Sequence, residues 1–275
     1  MQGWKRPRAQ PRGRLLFRGF APRPVLGLTP GYLCKKEARW GCDIAGLAQG
    51  RAQCHTTAMS EASKIALVTG ASRGLGAALA EGLAARGWHI LAVARTAGAL
   101  EELDDRIRKA GGTATLAPLD VGQPEPMVKL AEAVGGRWKG LDLWAHCAVH
   151  AAPLSPAGHV DAKDFQKSVD LNLVAVRGLI ALFEPLLLAR KGTALFFDDP
   201  RAGQKFFGSY GATKAAQIAL ARSWQAEAES IGPRVVIARP APMPTATRAR
   251  FFPGEDRARL TPCKAEAERI LADLP

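Results

Sequence analysis

Ile65-Ala66-Leu67-Val68-Thr69-Gly70-Ala71-Ser72-Arg73-Gly74-Leu75-Gly76 is the stretch that decides the fold. Ile65–Val68 is a short apolar run, suited to a strand buried on both faces. Glycines follow where such a strand must turn. Leu75, Leu79 and Leu83 then share one helical face, and Gly87 stands where a left-handed cap would end the helix. Ile90-Leu91-Ala92-Val93-Ala94 reads as a second buried strand. Strand, glycine turn, helix and strand together make a βαβ unit.

A βαβ unit with glycines in its first turn predicts an α/β fold: a doubly wound parallel sheet of the NAD(P)-binding Rossmann type, in a single domain. One glycine permits the tight turn, a second lets backbone amides approach a pyrophosphate, and a third lets helix and strand pack closely. The helix N-terminus adds free N–H groups and a favourable dipole. Gly70, Ser72, Arg73, Gly74, Leu75 and Gly76 are therefore candidate cofactor-binding residues. An ordinary glycine-rich loop is the bland alternative, and the flanking strands and helix argue against it.

The spacing Thr-Gly-x-x-x-Gly-x-Gly resembles the coenzyme loop of the short-chain dehydrogenase/reductase family. The resemblance covers residues 63–245 and implies further roles. Many NAD binders carry an acid at the end of the second strand, for the ribose 2′-OH. This chain has Arg95 there, and Arg73 directly before Gly74, where basic residues of the family often meet a 2′-phosphate. Two forked guanidinium groups suit that dianion, so NADP(H) is the expected cofactor. Asp120-Val121, after the third strand, matches the family's adenine site; a turn cap is the other reading of Asp120.

Tyr210 and Lys214 stand four apart, on one face of a helix expected to run to Gly232-Pro233. Tyr210 follows Gly70 by 140 residues, and the pair matches the family's Tyr-x-x-x-Lys. The resemblance makes Tyr210 the general acid/base and Lys214 the cation that lowers the Tyr pKa and binds the nicotinamide ribose. A nearby cation favours phenolate on electrostatic grounds alone. Asn172 matches the family's helical Asn, which holds a water in the proton relay. It could equally be a polar residue in a kinked helix. Pro240 and Thr245 fall where the family's Pro-Gly-x-x-x-Thr lies, with Ala241 in place of Gly.

Two further features depart from the pattern. Asp198 and Asp199 stand at the strand end where the family has its catalytic Ser. An ionised Asp cannot donate a hydrogen bond, and its charge raises a neighbouring Tyr pKa; a protonated Asp could donate. Ala145-His146-Cys147-Ala148 replaces the family's Asn-Asn-Ala-Gly. His146 is read as a strand-end histidine, or as a brace between strands. Phe251-Phe252-Pro253-Gly254 reads as an apolar lid or as packing on the sheet.

The net charge of +13 is concentrated at one end: residues 1–58 hold 11 of the 38 bases and 2 of the 25 acids. The remainder has little basic excess, so no nucleic-acid partner is expected. No run of apolar residues suggests a membrane span. The five cysteines form no CxxC pair, which leaves reduced thiols, a cytoplasmic location and no metal site. Residues 1–58 are expected to be a disordered basic extension, with the domain at 59–275. That extension reads as sequence upstream of a start at Met59, as a targeting segment, or as an interaction arm. The expected function is reduction of a small-molecule carbonyl, or oxidation of an alcohol, by an NADP(H)-dependent enzyme that forms a homo-oligomer. A catalytically weak NADP-binding sensor or partner protein is the alternative.

Overall fold

A computed structural model describes residues 64–274. Its elements alternate as the opening motif requires. In chain order they are β1 (Ile65–Thr69), α1 (Gly74–Ala85), β2 (His89–Ala94), α2 (Ala97–Lys109), β3 (Thr113–Pro118), α3 (Pro124–Trp138) and β4 (Leu143–His146). Then come α4 (Ala162–Val169), α5 (Ala175–Arg190), β5 (Thr193–Phe197), α6 (Gly208–Glu227), β6 (Arg234–Ala238), α7 (Ala246–Phe251) and α8 (Cys263–Ala272). A π-helical turn, Asp170–Val174, joins α4 to α5.

The six strands pair in the order β3-β2-β1-β4-β5-β6. All five pairings are parallel. β1 is followed by β2 on one side of the sheet, and β4 lies on its other side. The connections after β1 and β4 therefore leave in opposite directions and open a crevice at the strands' carboxyl ends, where open α/β sheets bind ligands.

Strand residues alternate between two cores, because side chains on a strand point to opposite faces. Ala66 and Val68 face the core closed by α1, α2 and α8. Ile65 and Leu67 face the core closed by α3, α5 and α6. Trp144 fills the second core, with edge contacts to Phe183 at 5.0 Å and Phe196 at 5.3 Å between ring centroids. Edge-to-face pairs of this kind add to the area they bury.

Two local differences from the sequence reading have clear causes. Helix α6 ends at Glu227, not at Gly232-Pro233. The chain turns back over its last residues, with Gly232 N–H donating to the Ala228 carbonyl at 3.0 Å. A Cβ on Gly232 would lie 2.3 Å from the Ala228 Cβ, so only glycine permits this approach into β6. The second difference concerns the apolar segment Ala162–Arg190. Among the described residues it is the one helical stretch long and apolar enough to cross a membrane. Here Val176, Leu179, Phe183 and Leu187 are buried in the second core.

Candidate active site

A cavity of about 480 Å³ runs along the carboxyl edge of the sheet. All thirteen residues expected at cofactor positions line it: Gly70, Ser72, Arg73, Gly74, Leu75, Gly76, Arg95, Asp120, Val121, Tyr210, Lys214, Pro240 and Thr245. Asn172 does not line the cavity; it is fully buried behind the wall.

The first half of the cavity is a backbone construction. Gly70 has φ +75°, a region side chains disfavour, and a Cβ there would meet Ala148 N at 2.7 Å. A Cβ on Gly76 would meet the Gly70 carbonyl oxygen at 2.3 Å. The turn is thus closed tightly enough to bring its amides to the cavity and α1 onto β1. Thr245, which caps α7 by accepting from Arg248 N–H, sits across from this turn. Its Cγ2 would lie 3.3 Å from a Cβ on Gly74. Arg73 and Arg95 are exposed, and neither makes an ion pair among the described residues. Asp120 spends one carboxylate oxygen on the Gly122 N–H at 2.9 Å, so it does act as a turn cap.

A dinucleotide fits this half on three counts: the glycine turn leaves room for phosphates against backbone N–H groups, α1 begins beneath them, and the guanidinium groups of Arg73 in that turn and Arg95 after β2 have no ion-pair partner among the described residues.

The second half is built from side chains that satisfy one another. Tyr210, on the first turn of α6, donates its hydroxyl to Asp199 Oδ2 at 3.0 Å. Burial raises the Tyr210 pKa, and the neighbouring Asp199 carboxylate raises it further; Arg201 opposes the shift. Arg201 Nε lies 3.0 Å from Asp199 Oδ1. That contact is close enough for charge pairing but misaligned, and Arg201 Nε makes no hydrogen bond. Asp198 turns away, to Arg239 Nη2 at 2.8 Å. Of the two aspartates at the strand end, Asp199 is therefore the one at the Tyr hydroxyl.

Lys214 Nζ donates to Gln217 Oε1 at 2.6 Å. Burial lowers the Lys214 pKa to about 8, against the pull of Asp199. Gln217 Nε2 in turn donates to the Asn172 carbonyl at 3.1 Å. The Asn172 side chain is held on both of its polar atoms. Its Oδ1 accepts from His150 N–H at 2.7 Å. Its Nδ2 donates to the His150 carbonyl and to Thr213 Oγ1. Asn172 sits in the π-helical turn, the kind of helix irregularity that recurs at functional sites.

His146 braces the sheet: its Nδ1 meets Thr69 Oγ1 at 2.9 Å, across the β1–β4 pairing. Burial drives its pKa down to about 3, with Lys214 adding to the effect, so the ring is neutral. Phe251 and Phe252 pack over the Tyr210 end. The Phe251 ring lies 4.8 Å from that of Tyr210 and 5.0 Å from that of Phe207. Arg201 and Arg248 lie over the Phe252 ring. The phenylalanine pair thus packs against this end of the cavity instead of on the sheet face.

Sequence reasoning passed over Gln217, Arg201, Arg239 and Arg248. Gln217 carried one usable signal: it lies three residues after Lys214, on the face of α6 that is turned inward. Arg239 carried none, because its partner Asp198 is 41 positions away and is brought close by the β5–β6 pairing.

A family model for short-chain dehydrogenases matches residues 64–256, and the chain belongs to that family. The chain is 30% identical over 168 residues to a fatty acyl-CoA reductase of Acinetobacter baylyi, a match that covers 60% of this chain and 57% of that one. It is 29% identical over 180 residues to a glycine betaine reductase of Emericella nidulans, covering 64% of this chain and 14% of the other. The chain thus spans less than two thirds of the length of these relatives. Among solved structures, an alcohol dehydrogenase of Thermococcus sibiricus complexed with 5-hydroxy-NADP is 26% identical. It matches with a TM-score of 0.69, over 78% of this chain and 92% of that chain. A short-chain dehydrogenase of Salmonella enterica matches with a TM-score of 0.70 at 26% identity, over 73% and 85%.

Proposed function

We propose that the protein is an NADP(H)-dependent oxidoreductase that interconverts a small-molecule carbonyl and its alcohol. The observation that carries this reading is the continuity of one cavity, with Arg73 and Arg95 at one end and Tyr210 and Lys214 at the other. When bound, the cofactor supplies or accepts the hydride. Gly70, Ser72, Gly74, Leu75 and Gly76 hold its diphosphate by backbone N–H groups, with Thr245 and Pro240 closing over it. Arg73 and Arg95 select the 2′-phosphate, and Asp120 and Val121 flank the adenine. Lys214 holds the far ribose, Asn172 fixes the backbone behind it, and Tyr210 gives its hydroxyl proton to the substrate oxygen or takes it back. Similar solved structures are complexed with NADP, NADPH and 5-hydroxy-NADP, which supports the cofactor choice.

We further propose a homo-oligomer in the cytoplasm, with residues 59–275 as the working domain and residues 1–58, which lie outside the described residues, as an extension. Phe165, Val174 and Leu188, on and between α4 and α5, are exposed apolar side chains, which supports contact with a second copy along these helices.

The test is binding followed by turnover. NADPH should bind more tightly than NADH, and the native protein should oxidise NADPH in the presence of aldehydes or ketones. Tyr210→Phe should lower that rate by roughly a hundredfold or more, the usual scale of a lost proton donor, with NADPH affinity kept. One observation favours a second reading, a binding protein without turnover: the Tyr210 hydroxyl is already engaged by Asp199. NADPH binding with no reduction across the panel, in native protein and variant alike, would decide for it.

A further inference from the structure

The environment of Tyr210 has two sides that differ in access to water. Toward the interior lies Lys214, and beyond it the Asn172 carbonyl. The Gln217 amide joins them, accepting from Lys214 Nζ at 2.6 Å and donating to the Asn172 carbonyl at 3.1 Å. Gln217 is fully buried. Its carbonyl and NH₂ ends are committed in opposite directions. A primary amide neither takes up nor gives up a proton near neutral pH, so the connection holds its atoms in place without passing a proton. Toward the outside lies Asp199, hydrogen-bonded directly to the Tyr210 hydroxyl, with 31% of its side chain open to solvent.

We propose that Asp199 carries the proton between Tyr210 and solvent, and that Gln217 closes the inward route through Lys214 and Asn172. The proposal rests on the reductase reading above. In the reducing direction, Tyr210 gives its proton to the substrate oxygen, breaking its own O–H bond as the alcohol O–H forms. The phenolate left behind takes a proton from the Asp199 carboxyl, which has drawn that proton from water. In the oxidising direction the same proton travels from alcohol to Tyr210, to Asp199 and out. Both transfers move protons only. One hydrogen bond joins the Tyr210–Asp199 pair. The charged groups that face it are Asp198 and Arg201 from the segment between β5 and α6, Lys214 from α6 and Arg248 from α7. Asp199 and Gln217 act through Tyr210 and Lys214 and are positioning residues.

The substrate-free test is the ionisation of Tyr210, read from tyrosinate absorbance. The chain has two tyrosines, Tyr32 and Tyr210, so a Tyr32→Phe background isolates the signal. Removing the Asp199 charge should lower the Tyr210 pKa, because a neighbouring carboxylate disfavours phenolate. In Asp199→Asn the absorbance step should come at least one pH unit lower than in the native protein. The alkaline limb of NADPH-dependent carbonyl reduction should shift by the same amount, and kcat should fall at least tenfold while NADPH affinity holds. Asp199→Ser, read in the same way, covers the case in which the amide variant does not fold. In the double variant Asp199→Asn/Gln217→Ala, the space vacated by the amide admits water between Lys214 and the Asn172 carbonyl. That variant should regain at least fivefold of the lost rate, whereas Gln217→Leu in the same background should regain none.

An unshifted tyrosinate step, or an unchanged kcat, in the Asp199 variants overturns the role of Asp199. Equal rates in the alanine and leucine double variants overturn that of Gln217. If the native protein reduces nothing, the reductase reading fails by itself. The absorbance titration still decides, without substrate, whether Asp199 governs the Tyr210 proton.

Discussion

The two halves of the cavity are made from different materials. The half at the β1–α1 turn is backbone: its geometry comes from glycines that leave space, and its two arginines have no ion-pair partners among the described residues. The half at the start of α6 is side chain, and nearly every polar atom there is committed: Tyr210 to Asp199, Lys214 to Gln217, Asp198 to Arg239, Asn172 to His150 and Thr213. A backbone site holds a ligand by shape and is indifferent to most side-chain changes. A side-chain network couples its members, so one substitution shifts the charge balance of the others.

That difference predicts where a minimal change does most damage. The largest effect belongs to Gly76→Ala. The added methyl would lie 2.3 Å from the Gly70 carbonyl oxygen, a backbone atom that cannot swing aside. Strain at the upper end of that seen for overpacked sites costs about 3 kcal/mol, or roughly 6–12 °C in melting temperature for a domain of this size. NADPH binding should be lost with it. Calorimetry and fluorescence titration of the variant check both; a fully stable variant that binds NADPH would show that the turn is not the backbone cradle described.

The next effect is confined to affinity. Arg95 is exposed and supports no other described ion pair, so Arg95→Asp should leave the melting temperature nearly unchanged. It removes a charge-assisted hydrogen bond, worth about 1.5–3 kcal/mol, and sets a carboxylate against the 2′-phosphate. NADPH affinity should fall by roughly 10- to 150-fold on that scale, with NADH affinity unchanged or improved. Equal weakening of both nucleotides would move the 2′-phosphate site elsewhere.

The same contrast governs what was legible in the sequence. The glycine turn could be read because its requirement is local: strand, turn and helix are contiguous, and each glycine has a short-range reason. The parallel sheet followed from the repetition of that unit. Tyr210 and Lys214 were legible because one helical turn separates them. The network around them was not. Asp199 and Asp198 are chemically identical neighbours in sequence. Only the direction in which each leaves the end of β5, toward α6 or toward β6, separates their roles. His146 was read chiefly as an ordinary strand-end residue, since its partner Thr69 is 77 positions away and is brought close by the β1–β4 pairing. The end of α6 was misplaced because Gly232 works as a packing point against Ala228, and not as a cap.

The smallest expected effect is the most discriminating test within the side-chain half, and it sets the two aspartates against each other. Asp198 pairs with Arg239, whose side chain is 63% exposed. Such a pair contributes about 0–1 kcal/mol, because water screens the guanidinium and the side chain gives up entropy to hold it. Asp198→Asn should therefore lower the melting temperature by no more than roughly 4 °C. The charge of Asp198 also raises the Tyr210 pKa, but it is the weakest of the influences on that group, and it acts without a hydrogen bond. Neutralising it should bring the tyrosinate step down by less than neutralising Asp199 does. If the two asparagine variants shift that step equally, long-range charge controls the phenol, and the direct Tyr210–Asp199 hydrogen bond has no special place in the site. If only Asp199→Asn shifts it, the contact itself sets the proton affinity. Two adjacent carboxylates at one strand end would then have separate duties, one anchoring Arg239 at the rim of the cavity and the other holding the phenol.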